Sequence, residues 1–348
     1  MSVSSQEMQI AGGNVSNRLI RAATLVSDYC AARAGLQDLG VLRSAAAVNG
    51  QYAEWLAAHL LDLRLAPSTT QKAIDAVDKK GRTYQIKERT VDNLEESTSF
   101  DFRELSTKFD WLLCVFLSRR LDLLGLLRVP YAVVKELCVQ NGPTNFRFRW
   151  HRTVAQDKRL ERLVWRERNG GGRVPDIDDA RDVAGFPNPS PAFLGQFTQA
   201  KSLLRNYFAT REELRRLGIL RSDADLTGAY AEWLVAELLH LRLSRTTIHN
   251  GIDASDQNGR TYQIKARTVH NLSGSTSFSF SELTTRFDWL VCVFFSPVLT
   301  PLAVVRIPYS MVIESVVRRS EDRARFNWSQ ALSQDPRVEV LYCDNESG

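Results

Sequence analysis

The chain has 348 residues and a mass of 39.4 kDa, enough for two domains with separate apolar cores. An apolar fraction of 44% and a charged fraction of 24% exclude a disordered chain, and a net charge of +5 with a pI near 9.0 leans towards a polyanionic partner. Five cysteines, an odd number with no CxxC spacing, argue against a disulfide framework or a zinc knuckle and for buried, reduced thiols.

Residues 1 to 14 are small and polar, with neither the basic flank nor the apolar run of a signal peptide. No later stretch is apolar for about 18 residues. A cytoplasmic protein without a membrane partner is expected. From Val15 to about Ala34, Leu19, Ala22, Ala23, Val26, Tyr29 and Cys30 recur at helical spacing, and Gly40 marks the end of that region. Gly50 to Leu61 is the clearest helix of the first half. Its apolar positions Tyr52, Trp55, Leu56 and Leu60 make one face, with Glu54 at the edge.

Thr69 to Val77 reads as a strand, Lys79-Lys80-Gly81 as a turn, and Thr83 to Arg89 as the antiparallel neighbour. Strand alternation puts Gln85 and Lys87 on one face. The polar Ser97-Thr98-Ser99 reads as a loop, and Phe102-Arg103-Glu104-Leu105 as a helical turn. Asp110 to Leu117 is almost wholly apolar, as in a strand covered on both faces. Another strand follows at Leu123 to Val129, and then a helix entered at Pro130. The class is α/β, each unit a mixed central sheet flanked by helices.

The whole pattern occurs twice. From Leu36 to Val154 the chain aligns without a gap on its own second half, with about half of the positions identical. Two domains and a linker follow: a first unit over 15–154 with its N-terminal helix, a linker over 155–192, and a second unit over 193–343 with its own helix. The linker is rich in Gly, Pro and charge and has room for a helix at its start.

Each unit carries one polar constellation: Glu54, Asp75, Gln85 and Lys87, then Glu232, Asp253, Gln263 and Lys265. Gly50-x-x-x-Glu54 on a helix, Asp75 before a turn and Gln85-Ile86-Lys87 on the returning strand together resemble the PD-(D/E)xK nuclease superfamily, in its QxK branch. Gly228-x-x-x-Glu232, Asp253 and Gln263-Ile264-Lys265 repeat the match. Ile74 and Ile252 stand where the pattern has proline. The resemblance covers about half of the chain and implies two tandem restriction-endonuclease-like domains.

It also implies a metal-dependent DNA endonuclease that hydrolyses phosphodiester bonds in restriction, phage defence or repair. Asp75, Glu54, Gln85 and the backbone carbonyl of Ile86 would hold the ion, as would Asp253, Glu232, Gln263 and Ile264 in the second unit. Lys87 and Lys265 would steer the attacking water and put positive charge beside the phosphate. Hard oxygen donors suit Mg2+, with Mn2+ as a substitute. Arg43, Arg82, Arg89, Arg221, Arg260 and Arg267 are candidate phosphate contacts. The expected partner is double-stranded DNA, bound by a pseudo-dimeric monomer or a homodimer that cuts both strands. Two rival readings are a DNA-binding protein that keeps the fold without catalysis and an RNA nuclease.

Overall fold

The computed structural model describes residues 17–67, 74–103, 105–165, 191–222, 225–244, 251–280, 285–320 and 323–344. The first half runs α1 (Asn17–Asp38), α2 (Val48–Leu61), β1 (Arg64–Leu65), β2 (Ala76–Val77), β3 (Thr83–Thr90), β4 (Thr98–Phe102), β5 (Trp111–Leu117) and β6 (Leu123–Pro130). It continues with α3 (Tyr131–Leu137), β7 (Cys138–Gln140), β8 (Phe146–Trp150), α4 (Arg152–Ala155) and β9 (Glu161–Trp165). The second half repeats this as α5 (Pro191–Arg216), α6 (Leu226–Leu239), β10 (Arg242–Leu243), β11 (Ala254–Ser255), β12 (Thr261–Thr268), β13 (Thr276–Phe280) and β14 (Trp289–Phe295). Then come β15 (Pro301–Pro308), α7 (Tyr309–Ser315), β16 (Val316–Ser320), β17 (Arg323–Trp328), α8 (Gln330–Ser333) and β18 (Glu339–Cys343).

The protein is therefore α/β, with two similar halves that each hold a six-stranded mixed sheet. The orders are β1-β2-β3-β5-β6-β9 and β10-β11-β12-β14-β15-β18. Only β3 with β5, and β12 with β14, pair in parallel; the other neighbours are antiparallel. The central β5 and β14 are buried from their second residue onward, as their continuous apolar sequence requires. Each half adds a three-stranded sheet, β4-β8-β7 or β13-β17-β16. Phe100, Phe102, Phe116, Phe148 and Trp150 pack the first of these onto the main sheet, and Phe278, Phe280, Phe294, Phe326 and Trp328 do so in the second. Cys114 and Cys292 are buried thiols. Among the described residues no helix is long and apolar enough to cross a membrane.

Several local expectations change. Thr98–Phe102 is a strand, not a loop, because Phe100 and Phe102 alternate inward while Ser99 and Asp101 face out. The same strand replaces the helical turn expected at Phe102; Glu104 lies outside the described residues. The strand expected from Thr69 is paired only over Ala76–Val77, and 68–73 lie outside the described residues. Glu161–Trp165 is the sixth strand of its sheet rather than linker, seated by buried Val164 and by Glu161 accepting from Arg128 Nε at 2.8 Å. Pro191 and Ala192, at the end of the expected linker, begin α5, and 166–190 lie outside the described residues.

The compact units are Arg33–Arg205, which holds the first repeat, and Met1–Ala32 with Asn206–Gly348, which holds the second. Both long helices are thus divided in membership. In the second-repeat unit Arg18 donates to Glu237 at 2.6 Å and lies 5.6 Å from the Trp233 ring centre, Arg21 pairs with Glu213 at 2.6 Å, and the Tyr29 and Tyr207 rings are 4.9 Å apart. In the first-repeat unit Phe193 packs on Trp55 and His59 at 5.5 and 4.9 Å, and Lys201 Nζ donates to Asp122 at 2.7 Å.

Candidate active site

The β2–β3 hairpin is fixed by Asp78, whose carboxylate accepts from the N–H groups of Lys80 and Arg82 at 2.9 Å each and from Arg82 Nε at 2.7 Å. Gly81 supplies the left-handed residue at φ +78°. Past β2 the Asp75 N–H still donates to the Tyr84 carbonyl at 2.8 Å, so Asp75 stands opposite Gln85. Its Oδ2 accepts from Ile86 N–H at 2.6 Å and from Gln85 Nε2 at 3.2 Å. The second repeat gives 2.7 Å from Ile264 N–H and 2.6 Å from Gln263 Nε2 on Asp253. In extended backbone a residue's N–H and C=O point to the same side of the strand, so the Ile86 carbonyl lies on the Asp75 edge of β3. With its amide nitrogen on Asp75, Gln85 keeps its side-chain oxygen as an acceptor.

Helix α2 carries Glu54 to this edge. Burial is the main cause that pushes the Glu54 carboxyl above the ordinary range, the Asp75 charge adds to it, and Arg43 and Lys87 oppose it. Burial likewise raises Asp75, opposed by the Ile86 N–H and then Lys87. Glu232 and Asp253 repeat both shifts for the same leading cause. Two partly buried carboxylates, of which the glutamate feels the aspartate's charge and both feel that of the same lysine, make a site that favours added positive charge.

Arg43 supplies some of that charge in a way that sequence reasoning missed. Its guanidinium is ion-paired with Glu54 and donates to the Ala66 carbonyl at 2.8 Å; Arg221 does the same to Glu232 and, at 2.6 Å, to the Ser244 carbonyl. These two candidate phosphate contacts are therefore engaged by the carboxylates. Arg82 is likewise turned to Asp78, and Arg260 repeats the turn through its own N–H to Asp256 at 2.9 Å. Arg89 spans Asp101 at 3.4 Å and the carbonyls of Glu88 and Ser99, while Arg267 reaches the Ser277 carbonyl at 2.8 Å. Lys87 and Lys265 make no hydrogen bond or ion pair among the described residues. Their ammonium groups lie 5.6 and 5.3 Å from the ring centres of Phe102 and Phe280. Arg128 and Arg306 brace sheet edges by pairing with Glu161 and Glu339 and lying over Trp111 and Trp289.

In the second repeat the four residues open onto a pocket of about 430 Å³ whose lining includes Glu232, Asp253, Gln263, Lys265, Ala266 and Arg267. The first repeat has Glu88 at the position of Ala266. Its Oε2 is buried and has no hydrogen-bond partner among the described residues, and burial raises its pKa against the opposing charge of Arg89. An acid raised in this way favours the fold at low pH and costs stability as pH climbs from the unfolded carboxyl value through the folded one. Glu88→Ala, which copies the second repeat, is expected to raise stability at neutral pH by about 1 kcal/mol, a figure kept low because solvent still reaches part of the group. The gain shrinks towards pH 4. Urea melts at pH 4 and pH 8 check this; an equal effect at both would mean that Glu88 carries no ionisation penalty.

Among the described residues no three His, Cys, Asp or Glu side chains gather as a metal cluster; each site holds two carboxylates beside amide and backbone oxygens. No family model matches the chain, and no curated protein is significantly similar to it.

Proposed function

We propose that the chain is a divalent-cation-dependent DNA endonuclease of the PD-(D/E)xK type, with a restriction-endonuclease-like fold in each half. It would work in the cytoplasm as a pseudo-dimeric monomer or a homodimer. The observation that carries this reading is the recurrence, around both hairpins, of two partly buried carboxylates with a glutamine and a lysine that acts on both their charges without an ion pair among the described residues. The mixed sheets with one parallel pair each support the fold assignment.

The donor set fits a hard cation. Asp75, Glu54, the side-chain oxygen of Gln85 and the carbonyl of Ile86 would hold it, as would Asp253, Glu232, Gln263 and Ile264. When bound, Mg2+ or Mn2+ supplies positive charge to the phosphate and acidity to a water molecule. The chain's own residues do the rest. The Ile86 N–H and Gln85 fix the Asp75 carboxylate in one orientation before any substrate arrives. Arg43 neutralises Glu54 and is the group that must yield when Glu54 takes another partner. The Lys87 ammonium, which lies over Phe102 and is in no ion pair among the described residues, is available to a phosphate oxygen or to the attacking water.

Supercoiled and linear DNA incubated with Mg2+, Mn2+ or EDTA tests the reading. The expected result is cleavage in either metal and none in EDTA. Binding without cleavage across diverse DNA and both metals would sink it in favour of a DNA-binding protein, and cleavage confined to RNA would sink it in favour of an RNA nuclease.

A further inference from the structure

Besides the exchange of Glu88 for Ala266, the two repeats differ in charge on the β4 and β13 strands beside their sites. In the first-repeat unit Asp101 on β4 stands opposite Arg147 on β8. Its carboxylate bridges two arginines, with Oδ1 2.7 Å from Arg147 Nε and Oδ2 3.4 Å from an Arg89 guanidinium nitrogen. In the second-repeat unit the equivalent pair is Ser279 opposite Arg325. Arg267, the counterpart of Arg89, is anchored in the same way, donating from Nε to the carbonyl of Ser277 as Arg89 does to that of Ser99. The register thus puts both arginines at equivalent positions in both units, but among the described residues only the first supplies an anion between them. Among the described residues Arg325 has no hydrogen bond or ion pair, and Arg267 has only the Ser277 carbonyl. The total charge of the two strand faces is not the distinction, because Arg149 in the first occupies the position of Asn327 in the second. What differs is whether the arginine pair is already bridged.

We propose that Arg267 and Arg325, across Ser279, form a receptor for a backbone phosphate of DNA, and that in the first repeat Asp101 occupies the equivalent receptor as an internal stand-in for that phosphate. The second repeat is then the one that takes hold of the nucleic acid. Arg267 joins this receptor to the reaction site, since it also lines the pocket shared by Glu232, Asp253 and Lys265. Paired guanidinium forks suit phosphate oxygens, which accept several charged hydrogen bonds at once. The receptor rests on the nuclease reading for its choice of partner and adds to it an inequality between the two sites.

The test is binding of a fluorescein-labelled DNA duplex to the full chain in EDTA, where hydrolysis does not interfere, over a series of salt concentrations. Ser279→Asp transplants the first repeat's carboxylate and is expected to weaken binding about tenfold at moderate salt. It should also flatten the logarithmic salt dependence by about one to two phosphates' worth. Asp101→Ser opens the first receptor and is expected to tighten binding severalfold. Arg325→Ala, which places no new charge on the sheet, should reproduce the loss if Ser279→Asp perturbs folding. Wild-type affinity in both second-repeat variants overturns the receptor, as does a wild-type chain that binds no duplex. Metal-dependent cleavage by the wild type, assayed separately, keeps the two ideas apart. Cleavage with unchanged Ser279→Asp binding removes the receptor and leaves the nuclease, whereas weakened Ser279→Asp binding without any cleavage leaves the receptor and removes the nuclease.

Discussion

Replacing both Lys87 and Lys265 by alanine is expected to lower phosphodiester cleavage by about 100- to 10,000-fold, the range for loss of a positioned proton-transfer or charge-stabilising group. Each ammonium lies within electrostatic reach of its two carboxylates and lowers both their pKa values, yet among the described residues it has no hydrogen-bonded anion to hold it back. Either single substitution leaves one intact constellation, so the expected product from supercoiled DNA is nicked circle, while the wild type proceeds to linear. Gel separation of supercoiled, nicked and linear forms over time reads this directly. A second readout isolates the charge. Without Lys87 the Asp75 and Glu54 carboxyls rise further, so the pH at which divalent cation binding reaches half its maximum should move upward in the single variant. A double variant that cuts at the wild-type rate would remove the lysines from the chemistry.

Arg43→Ala is expected to cost roughly 2 kcal/mol of stability in EDTA, because it strands a half-buried Glu54 whose carboxyl burial already penalises. The sign with pH follows from that raised carboxyl. Below the ordinary glutamate value of about 4.3 the group is protonated in both folded and unfolded chains and the loss is smallest. As pH rises through the raised folded value, the unpaired charge must be carried by the fold, and the loss grows. A divalent cation offers Glu54 a replacement for the guanidinium. Saturating Mn2+ should therefore stabilise Arg43→Ala more than it stabilises the wild type, since a ligand specific to the folded state adds stability in proportion to its affinity. Urea unfolding of both proteins with EDTA and with Mn2+ decides the matter. A deficit of the same size under both conditions would show that Glu54 is not a cation ligand.

Much of the site was legible because its parts are local. Helical spacing placed Glu54, the Lys79-Lys80-Gly81 turn brought Asp75 back to the strand of Gln85 and Lys87, and the two-residue period of a strand put Lys87 beside Gln85. Duplication then marked the same four positions again. What escaped was set by pairing over distance. Arg43 reaches Glu54 from a loop eleven residues earlier, and no periodicity reports where a guanidinium will turn. Asp101 gains its meaning only from Arg147, on a strand that pairs with its own across most of the unit. The stretch Thr98–Phe102 reads as a loop by its hydroxyls, although the alternation of Phe100 and Phe102 carried the strand signal. Glu161–Trp165 was hidden by charge, as suits an edge strand that faces solvent along one side.

The division of the two long helices between units bears on how such a gene can change. Residues that precede the first repeat complete the second, where Arg18 covers Trp233, and residues that precede the second complete the first, where Phe193 covers Trp55. Deleting either repeat with its leading helix would strip packing from the survivor, so natural selection for folding alone retains both. Under that protection one copy is free to drift in its chemistry while the other keeps working, and the exchanges of Ala266 for Glu88 and of Ser279 for Asp101 are the kind of divergence that such a tie permits.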